Sequence, residues 1–255
     1  QQARRIRRIR QRLTEVACRT LLRKLATDGQ DKAITVFVSH AKADGLLVAE
    51  KLRNSIYNYG QLQAFFDESD IPIGHEFANV LTDQARGTAC MLTVLSDVYS
   101  SRPWCREEIV RARLPRLEEK DKNTWRVNPI LAVDCLESAL THLIPELGNC
   151  PIVRWAADRE GLIIDTLMRQ LLMTLYQRMN AQRIASRCSA PHQQILSWVP
   201  DPISIQSVLA EKPDASEIIF PGHGLSGAER GLLDSLFKNR VPKIKFTTYE
   251  EVQCR

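Results

Sequence analysis

The sequence predicts an α/β protein built on a five-stranded parallel sheet, with a basic helix before it and a small α/β appendage after it. Five short apolar runs rich in β-formers occupy residues 34–38, 62–66, 91–95, 128–133 and 152–155. Continuous apolar runs of that length fit strands buried on both faces. Between them lie stretches with helical periodicity, at residues 45–59, 77–86 and 104–113, and a long amphipathic helix follows at 162–179. Strand and helix therefore alternate, which argues for a parallel sheet covered on both sides. Crossovers in such a sheet are right-handed, and ligands bind beyond the carboxyl ends of the strands.

Ahead of the first strand, Ile6, Ile9, Leu13, Val16, Ala17, Leu21 and Leu25 recur at helical spacing among arginines. Residues 1–25 hold nine basic side chains against Glu15, a net of +8, so the remainder carries −3 of the chain's total of +5. The helix reads as packing on a neighbour or on a second copy of the chain. The alternative is an anionic surface, nucleic acid or lipid headgroups. Thr27-Asp28-Gly29 ends it.

Composition narrows the class. With 44% hydrophobic and 25% charged residues the 255-residue chain is that of a soluble globular protein with room for a proper core. No apolar run approaches the roughly 20 residues that span a bilayer, and no signal-peptide pattern opens the chain. The seven cysteines are odd in number and scattered, which fits free thiols in a reducing cytoplasm. They form no Cys-x-x-Cys, and His192 and His223 are isolated, so no metal site is expected. The first residue is Gln1 rather than Met, which reads as part of a longer chain.

The stretch from Met91 to Ala112 carries the most chemistry. Its first half is a strand. Ser100, Ser101 and Pro103 then read as a helix start, which places Trp104 in the first turn. Glu108 follows four residues later, so indole and carboxylate project from one helix face just past a strand's carboxyl end. That pairing suits a flat cationic ring joined to a sugar. Taken alone, Trp-x-x-x-Glu is a weak pattern, and a packed Trp with a solvated Glu is its simpler reading. Glu107 reads as a solvated carboxylate favoured by the helix dipole.

Four pieces in order resemble the TIR domain, the Toll/interleukin-1 receptor fold, over roughly residues 33–180. Val36-Phe37-Val38-Ser39-His40 is similar to the family's first strand and its loop. Phe66-Asp67-Glu68, with Ile71-Pro72-Ile73-Gly74 and Phe77, resembles the second strand and the BB loop. Val94 to Ser100 resembles the strand running into Ser-x-x-Tyr, and Trp104-Cys105-Arg106-Glu107-Glu108 resembles Trp-Cys-x-x-Glu.

The resemblance implies a flavodoxin-like TIR fold. It further implies one of two functions, a non-catalytic scaffold working through the BB loop or an enzyme that cleaves NAD+. In the enzymatic members the glutamate four residues after the tryptophan is catalytic, here Glu108. Trp104 would hold nicotinamide. Ser39, His40 and Lys42 match where the family lines its nucleotide pocket. Lys42 either neutralises diphosphate or is plain surface, and His40 is either pocket-lining or structural. Phe66 is core or an adenine platform, Asp67 hydrogen-bonds into the BB loop, and Tyr99 packs under Trp104 or faces the pocket. NAD+ would be substrate rather than cofactor, and ADP-ribose or a cyclic ADP-ribose isomer the product. The family's habit of completing its site with a neighbour's BB loop implies a homo-oligomer or filament. Asp70, Ile71, Pro72, Ile73, Gly74 and Phe77 would then touch the next chain. The expected setting is bacterial defence or signalling.

The remaining residues divide into a linker at 181–202, punctuated by Pro191, Pro200 and Pro202, and an appendage at 203–255. In the appendage, residues 217–220 and 243–247 read as strands and 228–237 as a helix capped by Ser226. Between strand and helix, Gly222, Gly224 and Gly227 could offer free amides to a phosphate. No acidic residue sits convincingly on a following strand, so the full dinucleotide fingerprint is unmet. The piece resembles part of a SLOG-type nucleotide-sensing domain, which leaves a nucleotide ligand or a structural role open.

Overall fold

The computed structural model describes residues 16, 20, 34–58, 62–65, 89–118, 123–137, 147, 150–188, 190–240 and 242–253. The basic amino-terminal helix, apart from Val16 and Thr20, and the helix expected at 77–86 lie outside the described residues. The chain divides into two compact units. One comprises residues 1–112 and 128–175, the other 113–127 and 176–255.

The first unit is a five-stranded, wholly parallel sheet in the order β2-β1-β3-β6-β7. Its strands are β1 (Ile34–His40), β2 (Leu62–Phe65), β3 (Cys90–Leu95), β6 (Ile130–Asp134) and β7 (Ile152–Arg154). Every residue of β3 is buried, as a central strand covered on both faces requires. Side chains alternate across the sheet. Val36, Val38, Leu92, Val94, Leu131 and Val133 face α1 (Leu46–Asn58) and the first half of α3 (Glu160–Ala185). Phe37, Met91, Ile130 and Ala132 face α2 (Pro103–Arg113), which contributes Cys105, Ile109 and Ala112. The parallel α/β architecture expected from the alternation of runs is the one observed.

The second unit has its own five-stranded sheet, in the order β10-β9-β8-β5-β4. The strands are β4 (Arg116–Leu117), β5 (Thr124–Arg126), β8 (Gln193–Leu196), β9 (Glu217–Phe220) and β10 (Lys245–Thr248). All pairings are parallel except β4 with β5. The helices α4 (Pro202–Glu211), α5 (Gly227–Leu236) and α6 (Tyr249–Gln253) complete it. One face buries Trp125, Leu196, Ile205, Val208, Ile218, Phe220, Leu233 and Phe246. The other buries Ala181, Ile184, Ile195, Ile219 and Tyr249.

This corrects the expected domain boundaries. The segment 181–202 is not a linker: it holds the end of α3 and β8, a strand inside the sheet. Its prolines lie outside the strand, and Pro202 opens α4 behind an Asp201 capping box, where a missing N–H costs nothing. Nor is 203–255 a self-contained appendage. Its sheet includes β5, whose Trp125 is fully buried and whose indole N–H donates to Gln194 Oε1 at 2.8 Å. A stretch between α2 and β6, expected to lie within the first domain, thus belongs to the second unit's core.

Candidate active site

The site forms where β1 and β3 end and α2 begins. Leaving β1, the chain turns back at Ala41, whose carbonyl accepts from the Gly45 amide at 2.8 Å. Gly45 eases this turn, because a Cβ there would lie 3.0 Å from the Ala41 carbonyl oxygen and 3.3 Å from His40 Cβ, a tight fit. Asp44 in this loop reaches the loop after β3. One carboxylate oxygen accepts from Ser96 Oγ at 2.5 Å and the other from the Val98 amide at 3.0 Å. The two strand ends are thereby joined by a charge-assisted clamp.

After β3 the chain makes one 3-10 turn, Tyr99–Ser101, before α2 starts at Pro103. Ser101 was expected to cap the helix. Its hydroxyl instead donates back to the Val98 carbonyl at 2.7 Å, closing the 3-10 turn. Pro103 occupies the first helical position, where its lack of an N–H is harmless. Trp104, in the first turn, is 45% exposed. Glu108, one turn on, is half-buried. Glu107 is exposed and paired with Arg111, whose Nε donates to it at 3.0 Å, so it is a solvated surface carboxylate.

Glu108 is tied to the sheet. Ser39 Oγ, at the end of β1, donates to Glu108 Oε2 at 2.5 Å. Ser39 Oγ also lies 2.6 Å from the Tyr99 hydroxyl, which is 3.2 Å from the Cys105 carbonyl. Tyr99 is 0% exposed. Burial first, then the nearby Glu108 carboxylate and Cys105, hold its phenol well above its ordinary range. It therefore stays protonated at any physiological pH.

Of the residues singled out in the sequence, Ser39, Tyr99 and Glu108 come together in hydrogen-bonded contact. Trp104 shares the Glu108 helix. Tyr99 lies wholly beneath the surface, which favours the packing role over contact with a ligand. His40 is also buried, and its carbonyl accepts from the Cys105 thiol at 3.8 Å. Lys42 is exposed in the β1–α1 loop. Phe66, Asp67, Asp70, Ile71, Pro72, Ile73, Gly74 and Phe77 lie outside the described residues. Asp44 was missed. Its only sequence signal is an acid a few residues past a strand end, and its role needs a partner 52 residues away.

The glycine loop of the second unit differs from its expected form. Gly222 and Gly224 have φ of +103° and +99°, conformations that glycine adopts freely. The following helix, however, is closed by its own capping box. Ser226 accepts from the Glu229 amide, and Glu229 Oε2 accepts from the Ser226 amide at 2.8 Å. An acid therefore already occupies the place a phosphate would take. Among the described residues no group of three His, Cys, Asp or Glu side chains could hold a metal ion. No described helix is long and apolar enough to cross a membrane.

A parallel sheet that presents a hydrogen-bonded carboxylate and an exposed indole at its carboxyl edge has the layout of the α/β folds that meet ligands at that edge. Residues 36–158 match the family model described as the TIR domain, and the five-stranded parallel sheet of the first unit is consistent with the flavodoxin-like fold of that family. No curated protein matches the chain. Among solved structures, a similar chain comes from "Structure of the activated Roq1 resistosome directly recognizing the pathogen effector XopQ (TIR domains)". Identity is 17%, the likeness covers 58% of this chain and 84% of that one, and the TM-score is 0.34.

Proposed function

We propose that the TIR domain cleaves the nicotinamide–ribose bond of NAD+, with Glu108 as the catalytic residue and Trp104 as the surface on which nicotinamide stacks. The observation that carries this reading is the Ser39–Glu108 hydrogen bond of 2.5 Å, which fixes a half-buried carboxylate beside an exposed tryptophan on one helix face. TIR domains include NAD+-cleaving enzymes, and in those the Trp-Cys-x-x-Glu glutamate is the catalytic one.

The chemistry needs little else. Nicotinamide in NAD+ is a cationic leaving group, so its departure requires no general acid. The ribose C1′–nitrogen bond breaks with its electron pair going to the ring, which leaves neutral, and positive charge gathers on C1′ and the ribose oxygen. A preorganised carboxylate at that point stabilises the charge as it develops. While the ring remains cationic, stacking on Trp104 adds a cation–π attraction of about 0.5–2 kcal/mol. Water then bonds to C1′ and releases its proton to solvent, giving ADP-ribose. A purine nitrogen of the same molecule attacking C1′ gives a cyclic isomer. Lys42, exposed in the neighbouring loop, is suited to the diphosphate, and Ser39 acts through Glu108. Assembly through Asp70, Ile71, Pro72, Ile73, Gly74 and Phe77 would raise activity, in a defence or signalling role.

The test is nicotinamide release from NAD+ by dilute and by concentrated protein, set against Glu108→Ala. The expected result is release that rises with protein concentration and falls about 10²–10³-fold in the variant. Equal release by both proteins removes Glu108 from the mechanism. No release by the wild type at any concentration leaves a TIR scaffold.

A further inference from the structure

We propose that Tyr99 is a positioning residue for Glu108, its phenol donating to Ser39 Oγ and so committing the single Ser39 proton to the carboxylate. The functional consequence rests on the NAD+-cleavage reading above; the hydrogen-bond direction does not.

The direction follows from counting protons. A carboxylate only accepts, so the 2.5 Å contact between Ser39 Oγ and Glu108 Oε2 requires the serine hydroxyl hydrogen. Ser39 then has only lone pairs left for its 2.6 Å contact with the Tyr99 oxygen. Tyr99 must supply that hydrogen, and it keeps one to give because its phenol is held protonated. Were the phenol proton spent on the Cys105 carbonyl instead, at the longer distance of 3.2 Å, two oxygens would face each other at 2.6 Å with nothing between them. The Cys105 contact is thus the weaker branch of a forked donor.

The chain Tyr99→Ser39→Glu108 joins the 3-10 turn, β1 and α2, the three elements that define the site. Donors linked in series polarise one another, so the bond at the carboxylate is strengthened from behind. Asp44 sets the start of the chain by holding Ser96 and the Val98 amide immediately before Tyr99. Since Tyr99 is 0% exposed, it reaches a bound ligand only through Ser39 and Glu108.

The experiment follows the Glu108 side-chain carboxyl by carbon-13 NMR through a pH titration, in wild type, Tyr99→Phe, Ser39→Ala and the double variant, with kcat and KM measured in parallel. Phenylalanine keeps the buried ring and removes only the hydroxyl. The Glu108 midpoint is expected to rise in Ser39→Ala, to rise by less in Tyr99→Phe, and in the double variant to match Ser39→Ala. Turnover should fall about tenfold in Tyr99→Phe with KM unchanged, and its acid limb should move with the NMR midpoint. Site-specific 3-fluorotyrosine at position 99, a stronger donor of nearly the same size, should move the midpoint the other way, which gives a readout even if the phenylalanine variant folds poorly. A Glu108 titration unmoved by both replacements overturns the proposal. Because the NMR arm needs no turnover, an inactive wild type would refute NAD+ cleavage while leaving the positioning chain to stand or fall by its own result.

Discussion

Two glutamates, one in each unit, set the carboxylate proposed for chemistry against one tied up by its neighbours. Glu108 sits past the carboxyl ends of its strands, half-buried, on a helix shared with an exposed tryptophan. Glu217 opens β9 at the amino end of its strands and is 7% exposed. Thr247 Oγ1 donates to it at 2.7 Å, Gln193 Nε2 at 2.8 Å, and Lys245 Nζ stands 3.3 Å away. Burial alone would raise the Glu217 carboxyl, but the donors and the lysine charge outweigh it and bring it down to about 2. Such an acid is locked in its charged form with its acceptors spent on neighbours. The same contrast separates the strand-to-helix loops. In the first unit polar side chains bond across elements at the strand ends, whereas the second unit's glycine loop closes on its own capping box.

Each side of that contrast can be broken separately. The largest effect on stability is expected from Trp125→Ala, which empties the centre of the second sheet and should cost about 3–5 kcal/mol by denaturant unfolding. A loss near zero would mean that β5 does not belong to that core. Next comes Glu217. Its carboxyl is lowered in the folded protein, so its stabilisation is present above about pH 4.5 and drains away as pH falls toward 2. Glu217→Gln should therefore be less stable than wild type at neutral pH by up to about 3 kcal/mol, with the gap closing in acid. A gap independent of pH would show that its charge plays no part. Gly45→Ala, which presses a Cβ against the Ala41 carbonyl, should cost about 1–3 kcal/mol and reduce nicotinamide release, because the displaced loop carries Asp44. Smallest is Ser226→Ala, about 1 kcal/mol from the lost cap, with no change in nicotinamide release.

How much of this was legible in the sequence depended on where each partner lies. The first sheet was readable because its strands are buried on both faces and appear as apolar runs. Glu217–Phe220 could be read for the same reason. By contrast, β5 is three residues long, and its partner strand lies some 70 residues later, through the Trp125–Leu196 pairing. β8 opens on two glutamines, and Gln194 is buried only because the Trp125 indole and the Pro191 carbonyl take up its amide. Polar residues whose partners come from distant sequence resemble a linker. In the site, Trp104 and Glu108 were legible because they lie one helical turn apart. The Ser39–Glu108 bond spans 69 residues and the Asp44–Ser96 bond 52, so neither has a local signature. Reading Ser39 as pocket-lining, and Tyr99 as packed under Trp104 or facing the pocket, placed both in the right neighbourhood without revealing the hydrogen bonds that link them to the Glu108 carboxylate.

The central claim, that Glu108 is the acid kept for chemistry, is tested most directly by single-turnover nicotinamide release at neutral pH, with Glu108→Gln and Glu217→Gln side by side at equal folded concentration. Release is expected to be lost in Glu108→Gln with unfolding midpoints near wild type, and retained in a destabilised Glu217→Gln. A folded Glu108→Gln protein that releases nicotinamide at the wild-type rate would contradict the claim.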